Sequence, residues 1–210
     1  MRQRMPDVSN RSAVLALVAG LIAASALAFA NHSGRSRPAL RQAAAGSRLT
    51  LRSPDVTQGT PIALAHVYDR SGCHGGNISP ALSWDHPPAG TRSFAVLMFD
   101  PDAPGNGWWH WAVFDIPADV TSLPAGAGDP AKHLLPPDAI QSRNDFGSPG
   151  YGGPCPPPGA PHHYHLMLYA LRLARLGLDA AASPAQAAAK ARSHALAEAE
   201  IVGIYGRQEP

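Results

Sequence analysis

Phe94-Ala-Val-Leu-Met-Phe99 and Tyr164-His-Leu-Met-Leu-Tyr-Ala-Leu171 decide the fold. Each is a short run that is apolar at successive rather than alternate positions, so both faces of the extended chain must be covered. That is the signature of a central strand. Around them, residues 49–175 consist of short apolar runs broken by Pro, Gly and Asp, with no long stretch of helical periodicity. This texture predicts an antiparallel β protein with strands at Arg48–Arg52, Ile62–His66, Ala81–Trp84, Ser93–Phe99, His110–Ile116 and His163–Arg172. Near the C-terminus Ser183-Pro184 supplies an N-cap with proline at the first helical position, and the Ala-rich segment beyond it predicts one helix to about Leu196. The closing run Ala199-Glu-Ile-Val-Gly-Ile-Tyr205 returns to β-branched and aromatic residues and predicts a last strand.

The N-terminus is of a different kind. Arg2, Arg4 and Arg11 precede an uncharged apolar run from Ala13 to Ala30 that ends in Ala28-Phe29-Ala30, a small-x-small cleavage pattern. Residues 1–30 therefore read as a signal peptide, with an uncleaved membrane anchor as the competing reading. Residues 31–48 form a basic Ser/Ala/Gly-rich linker, and 49–210 form one domain. The whole chain has a net charge of +2, but its excess of base lies in those N-terminal segments. Residues 49–210 hold 10 basic and 14 acidic groups, a balance unsuited to nucleic acid. The expected location is periplasmic or secreted, with contact to a membrane only through an uncleaved N-terminal segment. Cys73 and Cys155 make an even count in an exported chain, which permits a disulfide, although either thiol also suits a small buried filler.

Two stretches carry chemistry: Asp100-Pro-Asp-Ala-Pro104 with Trp108-Trp-His-Trp111, and Tyr151-Gly-Gly-Pro-Cys-Pro-Pro-Pro-Gly159 with His162-His-Tyr164. Each sets a carboxylate, an imidazole or a phenol beside backbone stiffened by proline and opened by glycine. Strand parity places His162 and Tyr164 on one face and His163 and His165 on the other. The same parity puts His110 with Ala112 and Phe114, opposite Trp109 and Trp111. If the strands that start at His110 and His162 share a sheet edge, His110, His162 and Tyr164 meet at one mouth, and Asp100 completes the group. Such a set offers imidazole and phenol donors and the backbone N–H groups of Gly152 and Gly153. A carboxylate there favours the imidazolium form, so an anion pocket follows. His163 and His165 have a workable metal-ligand spacing but no third ligand nearby in sequence, and no cofactor is expected. No Gly-x-Ser-x-Gly elbow occurs, and neither cysteine has an activating neighbour pattern.

In combination these motifs, with Asn77-Ile-Ser-Pro-Ala-Leu-Ser-Trp84 and Arg143-Asn-Asp-Phe-Gly147, resemble the phosphatidylethanolamine-binding protein family, also called Raf kinase inhibitor-like proteins, in its bacterial YbhB/YbcL branch. The resemblance runs from about Leu49 to Arg207. It implies an antiparallel β-sandwich with a C-terminal helix and a small pocket for phosphate-like head groups, lined by Asp100, Pro104, Trp108, His110, Gly153, His162 and Tyr164. The family usually shows His-Arg-Tyr where this chain has His162-His163-Tyr164. The substitution lies on the far face, so the site is expected to survive and a structural salt bridge to be lost.

The function implied is that of a non-enzymatic binding protein for a small anionic ligand, phosphate or a phospho-head group, able to modulate a protein partner such as a kinase or protease. Two other classes stand beside it. One is a hydrolase of a small phosphoester or ester acting through His110 and His162 as acid and base. The other is a structural envelope component tethered by the basic linker.

Overall fold

The computed structural model describes residues 48–207. The apolar segment 1–30 and linker residues 31–47 lie outside the described residues. Among the described residues eight strands make two antiparallel sheets. The smaller contains β1 (Thr50–Arg52), β2 (Leu82–Asp85) and β5 (Ser122–Leu123), in the order β1-β2-β5. The larger contains β3 (Ser93–Asp100), β4 (Trp108–Pro117), β6 (Ile140–Gln141), β7 (His162–Leu171) and β8 (Ala195–Tyr205), in the order β6-β4-β3-β7-β8. The two doubly apolar stretches are thus interior strands, paired with each other from Ser93–Leu171 to Phe99–His165.

Both of their faces are used. Phe94, Val96, Met98, Leu166 and Leu168 pack towards the smaller sheet against Trp84, Leu82 and Leu123. Ala95, Leu97, Tyr169 and Leu171 face the other way and are covered by Ala187, Ala188 and Ala191 of helix α1 (Pro184–His194). The helix begins with a full capping box, in which Ser183 Oγ accepts from Gln186 N–H and Gln186 Oε1 accepts from Ser183 N–H. It stops two residues before Leu196, because Ala195 already pairs with Leu171 as the first residue of β8. The last strand is therefore longer than its β-branched residues alone suggest.

The predicted strand Ile62–His66 does not form. Ile62 N–H donates once to the Ile204 carbonyl, and Leu64–His66 then closes a 3₁₀ turn. The carbonyls of Leu64, Ala65 and Val67 are taken by the N–H groups of Gly76, Ile78 and Asn77. A Cβ on Gly75 would lie 2.1 Å from the Val67 carbonyl oxygen, so this doubled-back arrangement depends on glycine. The same region covers part of the β8 edge: Gly59 N–H and Gln58 Oε1 serve Val202, and the Thr60 carbonyl accepts from Ile204 N–H.

Candidate ligand-binding site

Three chain segments end at one end of the larger sheet. β3 finishes at Asp100 and β4 starts at Trp108, directly paired with it, while β7 starts at His162 one strand away. Asp100 opens the Pro101–Pro104 turn, and its Oδ1 accepts from the N–H groups of Asp102 and Ala103 at 2.9 and 3.2 Å. Its other oxygen, Oδ2, accepts from His162 Nδ1 at 2.8 Å. The carboxylate is 3% exposed, so the turn and the imidazole together replace its water.

His110 reaches the site by an irregularity. Met98 pairs with Trp111 and Phe99 with Trp109, so His110 is an extra residue in β4, a β-bulge. This overturns the parity reading that grouped it with Ala112 and Phe114. The bulge turns its ring to the side of Tyr164, with ring centroids 5.2 Å apart. Nδ1 lies 2.6 Å from the Gly152 carbonyl and 3.1 Å from that of Gly153. Carbonyls only accept, so Nδ1 carries the proton and Nε2 of the neutral ring is a bare acceptor. Burial pushes the imidazole down to about 4, outweighing the opposing pull of the two carbonyls and Asp100. The expected imidazolium is therefore not what His110 offers. Tyr164 is wholly buried, and burial together with the Asp100 charge moves its phenol well above the usual range, so it stays protonated.

Asp100, Pro104, Trp108, His110, His162 and Tyr164 line one cavity of about 320 Å³. Gly153, expected among them, does not. Its N–H donates to Asn77 Oδ1, and its place is set by close packing, since a Cβ there would sit 2.2 Å from the His66 carbonyl oxygen. Gly152 N–H is likewise taken by the His110 carbonyl, so neither glycine has the free donor the sequence reading assigned. Both stand behind His110 and hold its ring. Residues that sequence reasoning did not assign to the pocket complete the walls: Phe146, stacked on Tyr68 and edge-on to Trp108 and His110, and Pro156 and Pro157. Phe146 lies within a quoted motif, but nothing local in sequence marks it as wall.

Cys155 also lines the cavity and is bonded to Cys73, which ties the proline-rich rim to the loop before Asn77. The substituted His163 has a carboxylate neighbour. Its Nδ1 lies 2.7 Å from Asp102 Oδ2, and this contact holds the Asp102 carboxyl below its ordinary range. His165 pairs with Glu200 in the same way. Among the described residues no three His, Cys, Asp or Glu side chains are grouped to hold a metal ion.

A larger hollow of about 400 Å³, beside Pro130 and Leu134, contains none of the buried side-chain polar atoms that lack a partner. Five such atoms occur among the described residues, and three belong to residues that line the cavity under Asp100: Trp108 Nε1, His110 Nε2 and Tyr164 Oη. Buried polar groups are nearly always hydrogen-bonded, so a molecule filling the hollow, water or ligand, has three unpaired groups in its walls to satisfy.

The sequence profile of the family described as phosphatidylethanolamine-binding protein matches residues 52–206. The chain belongs to that family. Escherichia coli YbcL is 43% identical over 187 residues, covering 88% of this chain and 97% of YbcL. The crystal structure of YbcL, titled a new member of the mammalian PEBP family, superposes with a TM-score of 0.75 over 77% of this chain and all of the crystallised YbcL chain. Escherichia coli YbhB is 42% identical over 158 residues, 75% of this chain and 99% of YbhB. A Mycobacterium tuberculosis relative named as a candidate lipoprotein, LppC, is 36% identical over 164 residues, 78% of this chain and 75% of its own.

Proposed function

We propose that the chain is an exported binding protein that holds a small phosphate-bearing ligand in the cavity between Asp100, His110, His162 and Tyr164, without turning it over. The observation that carries this is the set of three buried, unpartnered polar atoms around one hollow. Two are donors, the indole N–H and the phenol O–H, and with the His162 imidazole they suit phosphate oxygens. The Asp100 carboxylate is saturated by its turn and by His162, so it positions a donor instead of meeting the ligand bare. Proline and aromatic walls give the pocket a fixed shape, which lowers the entropy cost of binding.

A binder is favoured over the hydrolase by the lining itself. The Cys155 sulfur is committed to a disulfide and is no nucleophile, and burial pushes the His110 imidazole down to about 4, which makes its bare Nε2 a weak base. Export is favoured by that same disulfide, which belongs to an oxidising compartment, and by the lipoprotein name of the mycobacterial relative.

Calorimetric titration with phosphoethanolamine and inorganic phosphate tests the reading. Saturable binding is expected, weakened about tenfold by Asp100→Ala or His162→Ala in domains that remain folded. Absence of heat with either probe overturns it. Release of phosphate from p-nitrophenyl phosphate, abolished by His110→Ala, would make the protein a hydrolase.

A further inference from the structure

The orphan atoms do not all ask for the same thing. Trp108 Nε1 and Tyr164 Oη offer protons, while His110 Nε2 needs one. The Nδ1 bond to the Gly152 carbonyl fixes that tautomer, and His110 is 2% exposed, with no protein group bonded to its Nε2. A ligand that satisfies the cavity must bring two acceptors and one donor. An ammonium brings only donors and leaves the indole N–H unpaired. A sulfate or a phosphodiester brings only acceptors and sets an oxygen lone pair against the His110 lone pair. A singly protonated phosphate brings both kinds of group, and a carboxylic acid has lost its proton at neutral pH.

We infer that His110 is a specificity-determining residue that admits phosphate groups still carrying a proton, inorganic phosphate or a phosphomonoester as the monoanion, and rejects sulfate and phosphodiesters. This rests on the phosphate-pocket reading above and narrows it. A site built around a hydrogen bond rejects the analogue lacking it because its own buried group is left unpaired. The groups facing His110 from other elements are Asp100 at the end of β3, His162 and Tyr164 on β7, and Asp145 in the loop after β6. Two of these are carboxylates, which adds to the preference for one negative charge over two. Tyr164 remains protonated throughout, so its phenol adds no pH dependence of its own.

The test uses the intact protein with four probes at one ionic strength: inorganic phosphate, phosphoethanolamine, sulfate and glycerophosphoethanolamine. The first two carry a titratable P–OH. The last carries a monoanionic phosphodiester group with the lipid's head-group chemistry and shares its ammonium with phosphoethanolamine, so the pair separates the P–OH proton from the rest of the head group and lipid from soluble source. Phosphate and phosphoethanolamine are expected to bind at least about tenfold more tightly than sulfate or the diester at pH 6. The affinity of phosphoethanolamine should fall by about tenfold per pH unit above a phosphomonoester second pKa of about 6, and that of inorganic phosphate should do so from a higher pH, in line with its higher second pKa. Sulfate does not titrate in that range, so its pH profile reports the protein's own groups and is subtracted. His110→Phe, which removes the acceptor, should bring the probes within a few-fold of one another. Sulfate or the diester binding as tightly as phosphate would overturn the inference and leave the pocket reading standing, as would a phosphate profile no steeper than that of sulfate. Silence from all four probes would overturn both.

Discussion

The His110 ring donates from Nδ1 to the Gly152 carbonyl and is held neutral by burial, and this has a consequence for stability as well as for ligand choice. Its folded pKa is pushed down to about 4, whereas the unfolded chain titrates near 6.5. Between those values the unfolded state binds the extra proton, so the contribution is complete above pH 6.5 and is lost as pH falls towards 4. The loss amounts to about 3 kcal/mol at the acid end. Urea midpoints of wild type and His110→Gln at pH 7 and 4.5 would show it: the wild type should lose more stability on acidification, and parallel losses would refute the assignment. Tyr164 supplies the complementary case. Its hydroxyl has no partner in the fold, so Tyr164→Phe should leave the melting temperature unchanged or slightly higher while weakening phosphate binding by about 1 kcal/mol. A clear drop in thermal stability would mean that the hydroxyl serves the fold.

At the level of elements, what decided legibility was whether the signal was local. The double-faced apolar runs gave β3 and β7 their interior places, since only a strand covered on both sides tolerates such a pattern. The Ser183-Pro184 cap was equally readable because a capping box lies within four residues. β5 and β6 escaped notice because two residues carry no periodicity, and both exist only through pairing with distant strands. The β4 bulge was hidden for a related reason: an extra residue has no mark in its own strand, only in the register of its partner. Parity therefore placed His162 and Tyr164 rightly and His110 on the wrong face. The Gly152-Gly153 segment behind the bulge is equally non-local. Gly153→Ala would drive a Cβ against the His66 carbonyl and the Tyr68 amide, both backbone and unable to rotate away. We expect it to cost about 2 kcal/mol or more in chemical denaturation and to loosen the His110 ring. An alanine variant as stable as wild type would show that this contact is not confining.

Across the whole molecule the site is assembled from four regions of sequence, which is why its chemistry was partly legible and its walls were not. Asp100, Trp108, His110, His162 and Tyr164 announced themselves by residue type and by neighbouring prolines. Phe146 and Asn77 contribute only through tertiary packing, and the roles of Gly152 and Gly153 needed coordinates to show which amides were already spent. The Cys73–Cys155 bridge spans 82 residues and fastens the rim to the opposite loop. Closing so long a loop removes unfolded-state entropy worth up to about 4 kcal/mol, so reduction should lower the denaturation midpoint and weaken phosphate binding together. Binding that persists unchanged in a folded, reduced protein would separate the rim from the ligand. The borders of the larger sheet carry a different kind of message. One is the two-residue β6, and at the other Gln58, Gly59 and Thr60 occupy backbone positions of β8 at Val202 and Ile204, while Glu198 and Glu200 place carboxylates farther along. A fibril grows by zipping one chain's open border onto the next. Here one border is too short to seed that growth and the other is strapped and like-charged towards its own copies, so crowding alone does not turn the native fold into a template for self-assembly.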